Sequence, residues 1–128
     1  MVVPIVITYV FPLVFLFVGM LMKKHFSEFP DVSVGYHLIK AIKNKATWEE
    51  ANKYAGNYCI RSSLVLLILD IAVMYFYIFF QYVFSAIHWT VFMLSYIFGT
   101  IALQLVLLFV LPIRHLNKTF NSDGSFKN

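Results

Sequence analysis

The sequence predicts an all-α integral membrane protein with three transmembrane helices. Three long apolar runs carry this prediction, at residues 1–22, 62–85 and 89–113. A helix that crosses the hydrocarbon core needs about 20 mostly apolar residues at about 1.5 Å rise each. The composition agrees, because 61% of the 128 residues are hydrophobic and only 12% are charged. About a quarter of the residues are charged in soluble proteins. We therefore expect residues 1–116 to form a single membrane domain.

The first apolar run is expected to be a retained helix rather than a cleaved signal peptide. Its cations, Lys23 and Lys24, follow the run instead of preceding it, and no small-x-small cleavage site ends it. Helical periodicity places several of its residues on one face. We expect this face to pack against the other two helices, and its residues are Thr8, Pro12, Phe15 and Gly19.

The positions of the cations predict the orientation of the chain. Seven of the ten Lys and Arg residues lie in the loop 23–61, and the other three follow the third run. Cytoplasmic loops carry an excess of Lys and Arg. An odd number of spans also places this loop and the C-terminal tail on the same side. The prediction is a multi-pass protein with its N-terminus outside and its C-terminus in the cytoplasm.

The cytoplasmic loop 23–61 is predicted to contain a short amphipathic helix. The segment Thr47-Trp48-Glu49-Glu50 matches a capping box, in which Thr47 begins the helix and Glu50 reaches back to it. We expect the helix to rest on the inner leaflet or on the base of the bundle. Its residues at helical spacing are Trp48, Ala51, Ala55 and Tyr58.

The C-terminal segment 117–128 is polar and is predicted to be a mobile tail. Asp123–Gly124 marks a turn within it.

The second apolar run contains one charged residue, Asp70, near its middle. A central aspartate costs about 2.5–3.5 kcal/mol on insertion scales, so its carboxyl group must be protonated, hydrogen-bonded or near water. A turn at residues 86–88 would place Asp70 and Gln104 at equal depth in antiparallel helices, within reach of a hydrogen bond. The third run offers Tyr96, Thr100 and Gln104 at four-residue spacing. The predicted intramembrane polar seam comprises Asp70, Tyr77, Gln81, Thr100 and Gln104.

Two interpretations of this seam remain open. It either recognises a peptide or relays a proton, or it is a hydrogen-bonded clamp between helices. Such a clamp contributes about 0.6 kcal/mol or somewhat more in membranes.

The sequence predicts no catalytic residues, no metal site and no cofactor. Cys59 is the only cysteine, and the four histidines are scattered. No H-E-x-x-H, P-loop or G-x-S-x-G pattern occurs. The net charge of +4 is explained by topology and by attraction to anionic lipid, so the lipid bilayer is the expected partner and nucleic acid is not.

The most specific part of the chain is residues 30–58. It contains Gly-Tyr, then Lys-Asn, then Trp-x-x-Ala-Asn, and the residues concerned are Pro30, Gly35, Tyr36, Lys43, Asn44, Trp48, Ala51 and Asn52. These residues resemble the signature loop of SdpI-like proteins, which are immunity proteins for the sporulation-delaying toxin of Gram-positive bacteria. The chain departs from the family pattern at His37-Leu38, where Arg-Thr is usual, and it lacks the additional spans of longer members.

The resemblance implies a non-enzymatic protein of the bacterial cell membrane that protects the cell from a secreted, membrane-active peptide toxin. It also implies signalling by recruitment of a cytoplasmic transcriptional repressor. Two alternatives stay open from the residues themselves. One is a small transporter, or a transporter subunit, with Asp70 as its ion or proton site. The other is a non-catalytic membrane scaffold whose loop binds a cytoplasmic partner.

Trp48 and Asn52, one helical turn apart, also have two interpretations. They form a docking surface for a cytoplasmic partner, or Trp48 anchors the helix among lipid headgroups while Asn52 satisfies a nearby backbone group.

Overall fold

The computed structural model describes residues 2–128 and contains three long helices. They are α1 (Val2–Lys24), α2 (Lys45–Phe80) and α3 (Ala86–Thr119). Each is long and apolar enough to cross a membrane. The predicted all-α, three-span membrane fold is confirmed. Residue 1, where the predicted first span begins, lies outside the described residues.

α2 is longer than the predicted second span, because it includes the residues predicted to form a separate amphipathic helix. Those residues are the first turns of one continuous helix, so the prediction of a separate helix is wrong. The predicted capping box is wrong as well. Asn44 is the N-cap: its Oδ1 accepts from the Thr47 N–H at 2.9 Å, and Thr47 Oγ1 accepts from the Asn44 N–H at 3.1 Å. Asparagine is at least as good an N-cap as threonine, which explains the earlier start.

The turn between α2 and α3 lies at residues 81–85, about one helical turn before the predicted position. Ser85 is the N-cap of α3, and its Oγ accepts from the His88 N–H at 3.4 Å. The earlier turn shifts the register between the two helices. Asp70 consequently lies at the depth of Tyr96, and the predicted pairing of Asp70 with Gln104 is wrong.

α1 packs closely against the first half of α2. The face predicted from periodicity is the buried one, which confirms that part of the prediction; it comprises Thr8, Pro12, Phe15 and Gly19, with Met22 added. On α2, small side chains at four-residue spacing are buried: Ala51, Ala55, Cys59 and Ser63.

Two glycines bring the backbones of α1 and α2 into contact. A Cβ atom on Gly19 would lie 2.7 Å from the Cβ of Cys59, and one on Gly56 would lie 2.7 Å from the carbonyl oxygen of Gly19. Lipid chains are as apolar as leucine, so membrane helices associate through close packing and hydrogen bonds rather than through the hydrophobic effect. The glycines therefore allow the closest approach of the bundle.

α3 faces outward along most of its length, and only 6% of its most apolar 18-residue segment is buried. Its exposed side chains are large and apolar, for example Phe98 and Phe109. Such a surface suits lipid, whereas soluble proteins rarely expose apolar patches of this extent.

The C-terminal segment folds back on the loop instead of hanging free. Phe120 is buried and forms a β-bridge with Phe126, with ring centroids 4.7 Å apart. The Asn44 side chain donates to the Gly124 carbonyl at 2.8 Å. Phe120 also belongs to the buried core, together with Ala41, Trp48 and Leu116. The mobility of segment 117–128 stays a prediction.

Substitution of Gly56 by alanine should destabilise the protein by about 1–3 kcal/mol, since the added methyl group overpacks the α1–α2 contact. The measurement is the unfolding midpoint in detergent micelles. Gly99→Ala is the matched control, because a Cβ there meets no atom within 4 Å. Equal midpoints for the two variants would contradict the proposed role of the glycine contact.

Candidate functional site

Asp70 lies where the three helices meet, and its side chain is only 2% exposed. Its Oδ1 accepts a hydrogen bond from the hydroxyl of Tyr96 on α3, at 2.6 Å. Its backbone carbonyl accepts a second hydrogen bond from the hydroxyl of Tyr9 on α1, at 3.3 Å. One residue of α2 is therefore hydrogen-bonded to both neighbouring helices.

The second carboxyl oxygen of Asp70 has no partner among the described residues. Oδ2 is buried without a hydrogen bond. A cavity of about 10 Å³, also lined by Thr8 and Thr100, lies beside Asp70. This is close to the smallest volume that holds one water molecule. Because an unpaired carboxylate in hydrocarbon is very costly, Asp70 either carries a proton or contacts a small polar occupant.

The signature residues of the loop form a hydrogen-bonded cluster at the base of the bundle. We call Gly35, Tyr36, Trp48 and Asn52 the signature core. Trp48 and Asn52 have no exposed surface. Asn52 Oδ1 accepts from the Tyr36 N–H at 2.7 Å, and its Nδ2 donates to the Trp48 carbonyl at 2.8 Å. Trp48 Nε1 donates to the Ser27 carbonyl at 2.7 Å.

Gly35 cannot carry a side chain in this arrangement. Its φ is +147°, which L side chains rarely adopt. A Cβ would lie 2.4 Å from Asn52 Oδ1 and 2.8 Å from the Trp48 ring. Glycine at this position is thus required by both backbone conformation and space.

Tyr36 connects the signature core to α3. Its hydroxyl donates to the Leu108 carbonyl at 2.7 Å. Burial, with a smaller contribution from nearby Cys59, raises the pKa of Tyr36 to about 12. The hydroxyl therefore keeps its hydrogen near neutral pH and remains able to donate to α3.

The model of the SdpI/YfhL protein family matches residues 30–113. The chain belongs to this family. The match confirms the predicted resemblance and includes the signature core, all of α2 and most of α3. It therefore also includes Asp70 and Tyr96. No curated protein and no solved structure matches the chain.

The geometry changes the interpretation of Trp48 and Asn52 as SdpI-family signature residues. Because both are fully buried, neither offers a docking surface, and Trp48 does not reach the lipid headgroups. Asn52 does satisfy a backbone group, the N–H of Tyr36. These two residues fix the loop against α2.

The other signature residues have different surroundings. Ala51 is fully buried, and Asn44 caps α2 while contacting the C-terminal segment. Lys43 Nζ donates to the Ser122 carbonyl. Pro30 is exposed and follows a cis peptide bond.

The predicted polar seam does not form one continuous line. Asp70 and Thr100 line the same cavity. Gln104 lies nearer the loop, where its Oε1 accepts from the hydroxyl of Tyr58 at 2.8 Å.

The two seam residues nearest the α2–α3 turn are separate from Asp70. The Tyr77 ring packs edge-on against Trp89, with centroids 5.1 Å apart. The Gln81 side chain donates to the Ile78 carbonyl of its own helix at 3.2 Å.

The predicted seam omitted Tyr9, Tyr58 and Tyr96, which all donate to its residues or their backbone. The sequence indicated Tyr96 as a seam residue, since it shares four-residue spacing with Thr100. It gave little indication that Tyr9 bonds to α2, because tyrosine in an apolar run is equally typical of a membrane interface.

Asn52→Ala should lower the free energy of unfolding by about 1–3 kcal/mol, because it leaves the buried Tyr36 N–H without an acceptor. Chemical unfolding in micelles measures the change. Asn57→Ala, at a half-buried position of the same helix, serves as the control. If both variants unfold at the same denaturant concentration, the signature core does not stabilise the fold in the way described.

Proposed function

We propose that the protein is a membrane immunity protein that protects a bacterial cell from a secreted, membrane-active peptide toxin. The observation that carries this proposal is the SdpI/YfhL family match over residues 30–113, in a chain with three membrane-crossing helices. The proposed orientation places the loop and the C-terminal segment in the cytoplasm, because all ten Lys and Arg residues then lie on that side. The proposed role requires no catalysis.

The proposed toxin-responsive element is the hydrogen bond between Asp70 and Tyr96. Oδ2 of Asp70 is a polar atom to which the described residues offer no hydrogen bond. A peptide that enters the bilayer beside α3 and offers a donor at this depth would satisfy Oδ2. It would also compete for the Tyr96 bond that holds α3 to α2. Binding would then favour a different position of α3, which is the differential contact that a population shift requires.

The proposed signal passes to the loop through Tyr36. Its hydroxyl joins the signature core to α3 at Leu108, so a displacement of α3 acts directly on the loop. The loop also presents apolar side chains outward, since Ile39 is 83% exposed and Ile42 is 41% exposed. These two isoleucines are the surface that we propose for a cytoplasmic repressor.

Cysteine labelling tests the orientation with two strongly exposed loop positions. In intact cells, a membrane-impermeant maleimide should label Tyr82→Cys, in the α2–α3 turn, but label Ile39→Cys only after lysis. Both positions are more than four-fifths exposed. The native Cys59 is buried, so its background labelling should be low. The reverse pattern would invert the topology.

Expression in a toxin-sensitive bacterium tests the function and the role of Asp70. The wild-type protein should allow growth in the presence of a membrane-active peptide of the sporulation-delaying class. Asp70→Asn should abolish protection at unchanged expression and folding, because asparagine keeps an acceptor for Tyr96 but loses the carboxyl group at the cavity.

Gln81→Ala is the control for the Asp70 variant, since the Gln81 side chain donates to the Ile78 carbonyl at the end of α2, away from Asp70. Full protection by Asp70→Asn would identify Asp70 as a structural clamp. Failure of the wild-type protein to protect would contradict the immunity proposal.

A further inference from the structure

A second cavity lies where α3 passes the first turns of α2, away from Asp70. Its volume is about 280 Å³, and the residues that line it are Tyr54, Leu111, Arg114, His115 and Lys118. Neither the polar seam nor the signature core contributes to it.

One wall of this cavity is held in place from two directions. The rings of Tyr54 and His115 stack with centroids 4.2 Å apart and an interplanar angle of 9°. His115 Nε2 also contacts Glu50 Oε1 at 2.6 Å. Because a carboxylate can only accept, Nε2 is the donor. The imidazole is therefore held by the stacked Tyr54 ring on its face and by the Glu50 carboxylate at its edge.

The cavity carries an excess of positive charge. Arg114 and Lys118 are one helical turn apart on α3, so they lie on the same face. Within residues 2–128, neither forms an ion pair. The acid beside the cavity is Glu50, which bonds His115. Two cations are thus available to an anion.

The depth of the cavity matches the layer of lipid headgroups. The third apolar run ends at Ile113, and the lining cations Arg114 and Lys118 directly follow it. The headgroup layer begins where the apolar surface of a membrane helix ends. The lining side chain Leu111 and the exposed apolar surface of α3 provide a path for acyl chains.

We propose that this cavity binds the phosphate group of an anionic membrane lipid. The guanidinium of Arg114 suits bidentate contact with phosphate oxygens, and the ammonium of Lys118 adds a point charge. Basic pockets between transmembrane helices on the cytoplasmic side are known to hold anionic headgroups. Free inorganic phosphate has the same chemistry, but the depth and the adjoining apolar surface favour a lipid.

The test titrates the purified full-length protein in detergent with phosphatidylglycerol and measures binding by native mass spectrometry. The double variant Arg114→Gln/Lys118→Gln should raise the dissociation constant about tenfold or more. The control, Lys24→Gln/Lys45→Gln, removes the same charge outside the cavity at the same end of the bundle and should change it less than about twofold.

Three results would overturn the proposal. Equal weakening by the two double variants would indicate diffuse surface charge. Equal affinity for phosphatidylcholine would remove the preference for an anionic lipid. Thermal stabilisation of lipid-free protein by inorganic phosphate, as large as that by the lipid, would identify a free anion instead.

A second measurement uses the wild-type protein and does not depend on the folding of any variant. A photoactivatable phosphatidylglycerol that carries its reactive group near the phosphate should crosslink to residues 111–118. Crosslinks concentrated elsewhere on the protein would contradict the assignment.

Discussion

The contact between Gly19 and Gly56 determines how the other parts of the bundle meet. At this point the backbones of α1 and α2 touch, and neither position has room for a Cβ atom. Close packing is among the few forces that associate helices in lipid, so this contact sets the position of α1. About four turns further along α2, the same crossing brings Thr8 and Tyr9 beside Asp70. The glycine contact thus positions the cavity at Asp70 without touching it.

α3 is attached to the other elements by a few polar side chains as well as by buried apolar residues such as Met93 and Ile97. Three tyrosine hydroxyls from α2, α3 and the loop form hydrogen bonds that attach it, and the residue pairs are Tyr96–Asp70, Tyr58–Gln104 and Tyr36–Leu108. A fourth bond joins His115 to Glu50. Each such bond contributes about 0.6 kcal/mol in a membrane, or somewhat more. Since most of the α3 surface faces outward, these few bonds are a substantial part of its attachment to the bundle. This makes α3 the part of the bundle best suited to respond to a ligand.

The sequence predicted the three helices, the buried face of α1 and the family, because each depends on a pattern of residue types. It misplaced the α2–α3 turn because the residues around the turn, from Phe79 to Phe84, are almost all apolar. Hydropathy therefore does not mark the end of α2. Because the turn was misplaced, Gln104 was predicted to pair with Asp70, whereas Tyr96 forms this hydrogen bond. Similarly, Thr47 and Glu50 matched a capping box, but Asn44 three residues earlier is an equally strong cap.

The burial of the signature core separates the residues that hold the loop from those that meet other molecules. Trp48 and Asn52 have no exposed surface, so another molecule cannot contact them directly. They act by fixing the conformation of the loop. His37 is different, because it is exposed and stands where the family pattern has arginine. Its Nε2 pairs with the Val32 carbonyl, and its ring packs edge-on against Trp48 at 5.7 Å. Arginine can donate to the same carbonyl, so the histidine preserves the turn while removing a permanent charge from the loop surface. The departure from the pattern therefore changes the charge of the loop surface rather than the fold of the loop.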